Sequence, residues 1–490
     1  MLIDELQIIL HLAVNGRLES VVIEFKIAAP TIEVFRIVVE RERFRLRGYG
    51  RGKVITIVAF EDFFAGKVLP NLVERPIAEQ ALKFILAGWS HSEIVKRGAQ
   101  SSLYYTRSDK LKLARRQAIE YIAPVLEYRM RILQVCSARE IGGGERHLAD
   151  LANALARREH DVYAALVPSS PLPAELSGLP GQNILELPMR NSLNIASAFK
   201  LARFVRANQI EIVHAHVARD YPLAALAAGR GRPRLVLTRH VLFPLNRIHK
   251  LTLRRVAHVI AVSQAVADSL RAQHIFRDDR IVVIHNGIDV ERFNRRNEAG
   301  FYDRRKTEMR VGMIGHLAPI KGQEDFIHAA TIVCAQRSDV NFIIAGEDKS
   351  RTGEYRRNIE QLIRELGLDQ RIRLTGWMDD VAELLSTLDL FVSPSRSEPF
   401  GLAIVEAMAA GVPVIATTSE GAREIIDAEK TGRLVPIGDV GGLANAMCEL
   451  LDNPKARQSF SANGQRAARE RFSLAGMVKA TEDVYRRTLE

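Results

Sequence analysis

The feature that most constrains this 490-residue chain is an alternation of short apolar runs with longer amphipathic stretches, which occurs in two successive series. The first series contains RILQVCS, DVYAALV, IEIVHAH, PRLVLTRH, HVIAVS and RIVVIHNG. The second contains MRVGMIGHL, VNFIIAG, RIRLTG, LDLFVSPS, VPVIAT and GRLVPI. Near-continuous apolar strands between helices are typical of parallel sheets covered on both faces. The pattern therefore predicts an α/β fold of two doubly wound, Rossmann-like domains with a cleft between them.

The domain limits follow from the polar stretch NRRNEAGFYDRRKTE, which separates the two series. We predict a first doubly wound domain over residues 131–305, a second over 306–473, and a C-terminal helix over 474–490 that packs back on the first domain. Residues 1–130 differ, because SVVIEFKI, TIEVFRIVVER, RFRLRGY and KVITIVAF indicate a small antiparallel sheet followed by helices. This preceding α+β region carries no catalytic constellation, and its function is not assigned.

A weak helix-turn-helix resemblance lies within that N-terminal region. Ser92–Arg97 would be its first helix and Ser101–Leu113 its recognition helix, with Arg107, Lys110 and Lys112 facing phosphates. An ordinary helical hairpin with a solvated basic face explains the same pattern, and we favour it because short patterns of this kind are common by chance. Nucleic acid is therefore not an expected partner.

Charge is distributed unevenly along the chain. Residues 131–305 carry 26 Lys and Arg against 16 Asp and Glu, whereas residues 306–490 carry 23 against 27. A basic first domain suits phosphate-rich ligands, nucleic acid or an anionic membrane surface, and charge alone does not choose among them.

The cysteines and the hydropathy predict the compartment. Cys136, Cys334 and Cys448 lie far apart, which favours reduced thiols over a disulfide framework or a zinc site. No apolar run approaches the ~18 residues of a membrane helix. We therefore expect a cytoplasmic protein.

Two loops at strand ends are candidates for phosphate binding. The motif IGGGERH, residues 141–147, follows a strand and opens a helix, so that Gly143 and Gly144 can approach an anion closely. It is not the GxGxxG dinucleotide fingerprint, which argues against an NAD enzyme. The motif GHLAPIKG, residues 315–322, places Lys321 where open α/β sheets bind ligands. Taken singly, each motif also fits an ordinary strand-to-helix turn.

The string EPFGLAIVEAMAAGVPVIAT is more specific. It spaces Glu398 and Glu406 so that one carboxylate precedes a helix and the other lies two turns inside it. The backbone at Phe400, Gly401 and Leu402 would open that helix and offer N–H groups to a diphosphate. The first carboxylate can accept hydrogen bonds from sugar hydroxyls, and the second can reach a ribose.

With these motifs in place, residues 131–490 resemble the retaining GT-B-fold glycosyltransferases of family 4, also called glycosyl transferases group 1. The matching motifs fall in the order that the family has them: GGGERH, HAH, TRH, IAVSQAV, VIHNGIDVERF, GHLAPIKG and EPFGLAIVEAMAAGVPVIA. The resemblance implies a hexosyltransferase that moves a sugar from a nucleotide-diphosphate-sugar donor to an acceptor with retention of the anomeric configuration. It also implies that the acceptor binds the first domain and the nucleotide sugar the second.

The resemblance further implies roles for individual residues. His240, Lys321 and Glu398 would be catalytic, with Lys321 neutralising the departing diphosphate and Glu398 holding donor hydroxyls, while Glu406 would bind the ribose. The implied donor-binding residues are Gly143, Gly144, His316, Lys321, Gly376, Trp377, Met378, Glu398, Phe400, Gly401, Leu402 and Glu406.

No metal and no cofactor other than the donor substrate are expected. Preorganised N–H dipoles and a lysine can stabilise a departing diphosphate without a cation, and Asp379–Asp380 fits a helix start better than a metal site. One departure from the family pattern stands at His316, where the family usually has an arginine paired with the lysine. Arg423 and Arg239 are candidates for the missing cation.

The resemblance also implies a saccharide or lipid-linked acceptor, as in cell-envelope polysaccharide, lipopolysaccharide or glycolipid synthesis. Residues 246–260 would place Arg247, Lys250, Arg254 and Arg255 near one helix face, which fits a peripheral contact with an anionic cytoplasmic leaflet. A solvated helix face explains the same residues.

Other classes remain open from sequence. One is a catalytically degenerate transferase domain with a regulatory, DNA-binding N-terminal module. Another is a different GT-B enzyme, such as a phosphorylase or a sugar epimerase, although EPFGLAIVE points more to a transferase.

Overall fold

The computed structural model describes residues 128–189, 195–229, 233–246, 249–297, 308–378 and 380–490, together with the backbone of five strands between residues 6 and 58. The chain divides into two compact units, Met1–Ala123 and Pro124–Glu490.

The first unit contains an antiparallel sheet in which each strand pairs with the next one along the chain. Its strands are β1 (Leu6–Val14), β2 (Leu18–Ile27), β3 (Glu33–Glu40), β4 (Arg43–Tyr49) and β5 (Val54–Val58). A small antiparallel sheet is what the sequence predicts here, although the strand β1 was not anticipated. The helix-turn-helix resemblance over residues 92–113 lies outside the described residues.

The second unit begins with a seven-stranded parallel sheet in the order β12-β11-β10-β9-β6-β7-β8. Its strands are β6 (Arg131–Cys136), β7 (Asp161–Leu166), β8 (Ile184–Glu186), β9 (Ile212–Ala215), β10 (Arg234–Arg239), β11 (Val256–Ala261) and β12 (Ile281–Val283). The helices that accompany it are α1 (Gly143–Arg157), α2 (Leu172–Glu175), α3 (Ile195–Ala207), α4 (Tyr221–Ala228), α5 (His249–Thr252) and α6 (Gln264–Ala272).

A six-stranded parallel sheet follows in the order β15-β14-β13-β16-β17-β18. Its strands are β13 (Met309–Ile314), β14 (Val340–Ala345), β15 (Ile372–Gly376), β16 (Leu390–Ser393), β17 (Val414–Thr417) and β18 (Arg433–Val435). Its helices are α7 (Gln323–Gln336), α8 (Glu354–Glu365), α9 (Val381–Thr387), α10 (Leu402–Ala409), α11 (Glu420–Ile425), α12 (Val440–Asp452), α13 (Pro454–Arg471) and α14 (Leu474–Leu489).

The apolar runs form buried strands, as the sequence predicts. In β6, Ile132, Leu133 and Val135 are completely buried, and both faces of the strand contribute to the core. Full burial of such a side chain is worth about 1.5–3 kcal/mol relative to exposure. The strand β8 was missed, because its three residues are only partly buried or exposed and give no apolar run.

Each parallel sheet has one topological switch point. In the first sheet the chain proceeds outward from β6 to β8 and then returns to the other side at β9. In the second, the corresponding reversal lies between β13 and β16. Open α/β sheets bind ligands at the carboxyl ends of the strands at such points. A site is therefore expected at the loops that follow β6, β9, β13 and β16.

The C-terminal helix α14 packs against the first sheet through buried polar contacts. The Glu482 carboxylate accepts from Arg158 at 2.6 Å and lies 3.0 Å from Nε2 of His160. Farther along the helix, the Tyr485 hydroxyl lies 2.6 Å from Nδ1 of His214, and both side chains are buried. These contacts hold the C-terminal helix against the first parallel sheet, with which the second unit begins.

The expected basic helix within residues 246–260 is corrected by the structure. Only His249–Thr252 is helical, and the strand β11 begins at Val256. Lys250, Arg254 and Arg255 are exposed, whereas residue 247 lies outside the described part of the chain. The buried strand takes precedence, because its apolar side chains gain more from the core than a solvated helix would.

The cysteines and the helices agree with two further expectations. Cys136, Cys334 and Cys448 are free thiols, and burial raises the pKa of Cys136 to about 12. Among the described residues, no helix combines the length and the apolar character needed to cross a bilayer.

Candidate active site

A cavity of about 580 Å³ lies between the two parallel sheets, at the carboxyl ends of their strands. From the first sheet it is lined by residues 141–146, 216–218 and 239–241, and from the second mainly by residues 314–316, 345–347, 377–378 and 398–404. Loops from both switch points therefore meet in one space.

Lys321 and Glu398 form an ion pair in this cavity, with Nζ 2.5 Å from Oε2. Lys321 ends a 3-10 turn, and Gly322 follows it at φ +73°. A Cβ on Gly322 would lie 2.1 Å from the carbonyl oxygen of Pro394, so this glycine lets the turn pack on the chain that leads to Glu398. The two side chains are 18% and 15% exposed, and this partial burial strengthens their attraction relative to a surface pair.

The start of α10 forms the adjacent wall. The helix begins at Leu402, directly after Gly401 at φ +114°, and no side chain caps it. The first N–H groups of a helix have no intrahelical partner and carry positive partial charge, so this end favours an anion. Gly421 packs directly on the backbone before α10, because a Cβ on Gly421 would lie 1.9 Å from the carbonyl oxygen of Phe400. The N–H of Gly421 donates to the carbonyl oxygen of Glu398 at 2.8 Å.

Glu406 lies one turn into α10, not the two turns that the sequence predicts, because the helix begins only at Leu402. It is 7% exposed. Burial raises the pKa of its carboxyl group, Arg146 and Arg292 act against that rise, and Asp150 adds to it. The side chain also lines a second cavity of about 120 Å³ together with both arginines. The sequence next to Glu406 does not indicate these arginines, because they come from α1 and from the 3-10 helix Val290–Asn297.

Four histidines cluster on the opposite side of the cavity. His216 and His240 line it, and the rings of His147 and His214 pack against them outside the lining. Nε2 of His240 lies 3.5 Å from Nδ1 of His216, and Nε2 of His216 lies 2.8 Å from Oε1 of Gln134. Burial lowers the pKa of His147 to about 4 and that of His214 to about 3, and it holds the pKa values of His216 and His240 well below the ordinary value. At neutral pH these imidazoles are uncharged, so His216 and His240 offer hydrogen-bonding groups without positive charge. The cations that line this side of the cavity are Arg146 and Arg239.

Three of these histidines have the donor set of a metal site. In the described part of the chain, ring nitrogens of His147, His216 and His240 all lie within 4.8 Å of one another. Neutral imidazoles suit zinc and similar divalent ions. The expected absence of an essential metal therefore stays a prediction that requires a chelator experiment.

His316 occupies the position at which the resemblance leads us to expect an arginine. Burial lowers the pKa of His316, and the charges of Lys321 and Lys349 lower it further, so its imidazole is a poor cation. Of the two proposed replacements, Arg239 lines the cavity but its guanidinium donates to a backbone carbonyl, and Arg423 is not among the lining residues. Lys349, which the sequence did not single out, does line the cavity.

The segment expected to hold the base follows β15. Trp377 and Met378 line the cavity, and the Trp377 ring is 42% exposed. Gly376 lies just outside the lining at φ +76°, and its carbonyl oxygen accepts from the N–H of Gly346 at 2.9 Å. An exposed aromatic ring beside a cleft is a suitable platform for a flat heterocycle.

All of the predicted site residues except Gly376 line the cavity, and the roles assigned to them stay predictions. Sequence reasoning missed Arg146, His147, His216 and Lys349. The first two lie inside the motif GGGERH, so helical spacing from its glycines could have found them. Nothing in GEDKS distinguishes Lys349 from a surface lysine.

Two doubly wound sheets with facing switch points define the class of GT-B proteins, and the comparisons agree. Anabaena Alr3699/HepE in complex with UDP and glucose matches with a TM-score of 0.63 at 24% identity, covering 72% of this chain and 99% of that one. A glycosyltransferase from Rickettsia africae ESF-5 matches with a TM-score of 0.65 at 24% identity, covering 74% and 99%. These likenesses show the fold.

Sequence comparisons supply the family. Residues 294–467 match the model for glycosyl transferases group 1, and residues 141–292 match the model for glycosyltransferase family 4. The chain is 26% identical over 367 residues to the N-acetyl-alpha-D-glucosaminyl L-malate synthase of Bacillus anthracis, covering 70% of this chain and 94% of that protein. It is 29% identical over 245 residues to the lipopolysaccharide core biosynthesis mannosyltransferase LpsB of Rhizobium meliloti, covering 48% and 67%. The chain belongs to the family 4, group 1 glycosyltransferases.

Proposed function

We propose that this glycosyltransferase moves a sugar from a nucleotide-diphosphate-sugar donor to an acceptor with retention of configuration and without a metal ion. The observation that carries the proposal is the Lys321–Glu398 ion pair beside the uncapped start of α10. A diphosphate leaving group gains charge in the transition state, and a preorganised ammonium group and N–H dipoles stabilise that charge.

The donor would occupy the cavity in a defined order. The base lies against Trp377 and Met378, and the ribose reaches Glu406. The diphosphate then meets the start of α10 and Lys321, which frees Glu398 to accept hydrogen bonds from sugar hydroxyls. The HepE structures contain UDP or UDP-glucose, which supports a donor of this class.

Retention follows from attack on the face that the leaving group vacates. The bond from the anomeric carbon to the phosphate oxygen breaks, the bond to the acceptor oxygen forms, and the acceptor proton passes to the departing diphosphate. The neutral imidazole of His240 can hydrogen-bond a donor hydroxyl there without repelling the positive charge that develops on the sugar.

The acceptor side supports a saccharide or lipid-linked acceptor in cell-envelope polysaccharide, lipopolysaccharide or glycolipid synthesis. Phe199, Phe243 and Leu251 are 70–72% exposed on the first half, and Lys250 and Arg254 are exposed nearby in sequence. Exposed apolar side chains with basic neighbours suit peripheral contact with an anionic leaflet on the cytoplasmic face. The relative LpsB is described as a lipopolysaccharide core mannosyltransferase.

The donor assignment is tested by incubating the protein with UDP-, GDP-, ADP- and CDP-sugars and measuring nucleoside diphosphate release. We expect release from donors of one base, unchanged by EDTA and abolished in Lys321→Met but not in Lys455→Met, which removes an exposed lysine of the same half. NMR recorded at once, before the released sugar mutarotates, should show the anomeric configuration of the donor. Release that requires added metal would contradict the metal-free mechanism, and no release from any donor would favour the degenerate alternative.

The membrane contact is tested by co-sedimentation with phosphatidylcholine vesicles with and without phosphatidylglycerol. We expect binding to the anionic vesicles that is weakened by ~1 M salt, because screening shortens the range of the attraction. Phe243→Ser with Leu251→Ser should reduce binding, whereas Ile437→Ser, which alters an exposed apolar residue of the second half, should not. Vesicle binding that is unchanged both by salt and in the double variant would contradict the proposal that this surface contacts the membrane.

A further inference from the structure

A second cation is missing from the expected diphosphate site. A diphosphate carries about two negative charges as an ester and gains more as it leaves. Lys321 is already paired with Glu398, and burial together with neighbouring lysines lowers the pKa of His316, which makes it a poor cation. The cavity therefore needs another cation if the chain is to bind and release a nucleoside diphosphate.

The other cations that line the cavity are committed elsewhere. The Arg239 guanidinium donates to the carbonyl oxygen of Phe243. Arg146 also lines the second cavity, where it acts on the buried carboxyl group of Glu406. Arg239 thus already has a backbone partner, and Arg146 is drawn toward a buried carboxyl group.

Lys349 has weaker partners and a better position. Its ammonium group donates to the carbonyl oxygen of Ile141 at 2.8 Å and lies 3.5 Å from the carboxylate of Glu140, which is 65% exposed. An exposed ion pair is worth about 0–1 kcal/mol, so a diphosphate can displace it. Ile141 immediately precedes Gly142 and the glycines expected to face the diphosphate, so the ammonium group already lies at that place.

The loop that carries Lys349 is attached to the loop that carries His316. The N–H of Leu317 donates to the carbonyl oxygen of Glu347 at 2.8 Å, and the two loops follow the neighbouring strands β13 and β14. Lys349 also lies over the Trp377 ring, with Nζ 5.4 Å from the ring centroid. A cation on the second loop thus lies close enough to His316 for its charge to lower the pKa of that imidazole.

We propose that Lys349 is the second diphosphate-binding cation of this enzyme and supplies the charge that the family takes from arginine at the position of His316. On donor binding, the ammonium group exchanges the Ile141 carbonyl and Glu140 for diphosphate oxygens. This inference rests on the proposed nucleotide-sugar donor.

The test is calorimetric titration of the full chain with two ligands. One is the nucleoside diphosphate that the preferred donor releases, and the other is the nucleoside monophosphate with the same base. Lys349→Met should weaken diphosphate binding about tenfold and leave monophosphate binding within about twofold, since one charge-assisted contact is lost. Lys455→Met should change neither. Adding His316→Arg to Lys349→Met should restore most of the diphosphate affinity, which a merely structural role for Lys349 would not predict.

The outcomes separate the two proposals. Equal weakening of both nucleotides, unchanged binding, tighter binding in Lys349→Met, or failure of His316→Arg to restore affinity would overturn the role of Lys349 while leaving the donor assignment standing. If neither ADP, CDP, GDP nor UDP binds the unmodified chain, the proposed function itself fails, and the inference fails with it.

Discussion

The two parallel sheets share a winding pattern, yet they equip the two walls of the cleft differently. The wall from the first sheet presents His216 and His240 as uncharged imidazoles within a basic half of the chain. The wall from the second presents Lys321 and Glu398 as a partly exposed ion pair within a mildly acidic half. Burial thus leaves the imidazoles of the first wall uncharged, whereas the second wall carries a charged pair. The difference suits a reaction in which a positive sugar and a negative leaving group separate.

The two walls also differ in how closely their glycines are packed. Gly346 has φ +149°, and a Cβ on it would lie 1.9 Å from the carbonyl oxygen of Gly315, so backbone packing requires it. Gly144 has no such constraint, and a Cβ there would lie 3.3 Å from the His240 ring. The second wall needs glycine to fold, whereas the first needs it for space beside a functional side chain.

The largest expected effect contrasts the charged pair of the second wall with the uncharged histidines of the first. Glu398→Gln should lower kcat/KM about 100-fold, because it removes a charged hydrogen-bond acceptor and leaves Lys321 without its partner. His240→Gln exchanges one neutral hydrogen-bonding group for another and should cost about tenfold or less. Steady-state assays with the identified donor measure both. An equal loss of kcat/KM in the two variants would show that the charged pair does not contribute more than the uncharged histidine.

The next effect concerns stability. Gly346→Ala should lower the free energy of unfolding by about 3 kcal/mol, because the new methyl group meets backbone that cannot move aside. Gly144→Ala should cost less than about 1 kcal/mol, since it meets only a side chain. Urea unfolding followed by circular dichroism measures both values. Similar losses at the two positions would show that the first wall is constrained by its backbone as well.

The smallest effect is a pH dependence. The pKa of His147 is about 4 in the folded chain and about 6.5 ordinarily, so the unfolded chain binds the extra proton between these values. Stability therefore falls as pH drops from 6.5 toward 4, by up to about 1.4 kcal/mol per pH unit from this group. Asp150, with a pKa raised to about 6, acts in the opposite direction and remains in the variant.

His147→Leu should reduce that slope by up to about 1.4 kcal/mol per pH unit, because it removes a buried base whose Nδ1 has no hydrogen-bond partner among the described residues. Unfolding free energies measured between pH 4.5 and 7 give the slope, with His328→Gln, an exposed histidine on α7, as the matched control. A slope unchanged by His147→Leu would mean that the imidazole is not held neutral by burial.

The sequence determined the fold class and the family, which the structure and the comparisons confirm. Short, near-continuous apolar runs between amphipathic stretches are typical of strands buried on both faces, so their order along the chain predicts two parallel sheets. The string from Glu398 to Glu406 indicates the second wall because its spacing is a property of one helix and the loop before it. Local patterns of this kind need no knowledge of the rest of the molecule.

Only the tertiary structure decided which distant residues share the cleft. Arg146 lies 260 residues before Glu406, and Lys349 contacts Ile141 across 208 residues. Nothing in the local sequence marks such pairs, because contact across the cleft depends on how the two sheets face each other. The uncharged state of His240 is likewise a tertiary property, since burial, which sequence spacing does not specify, removes its charge.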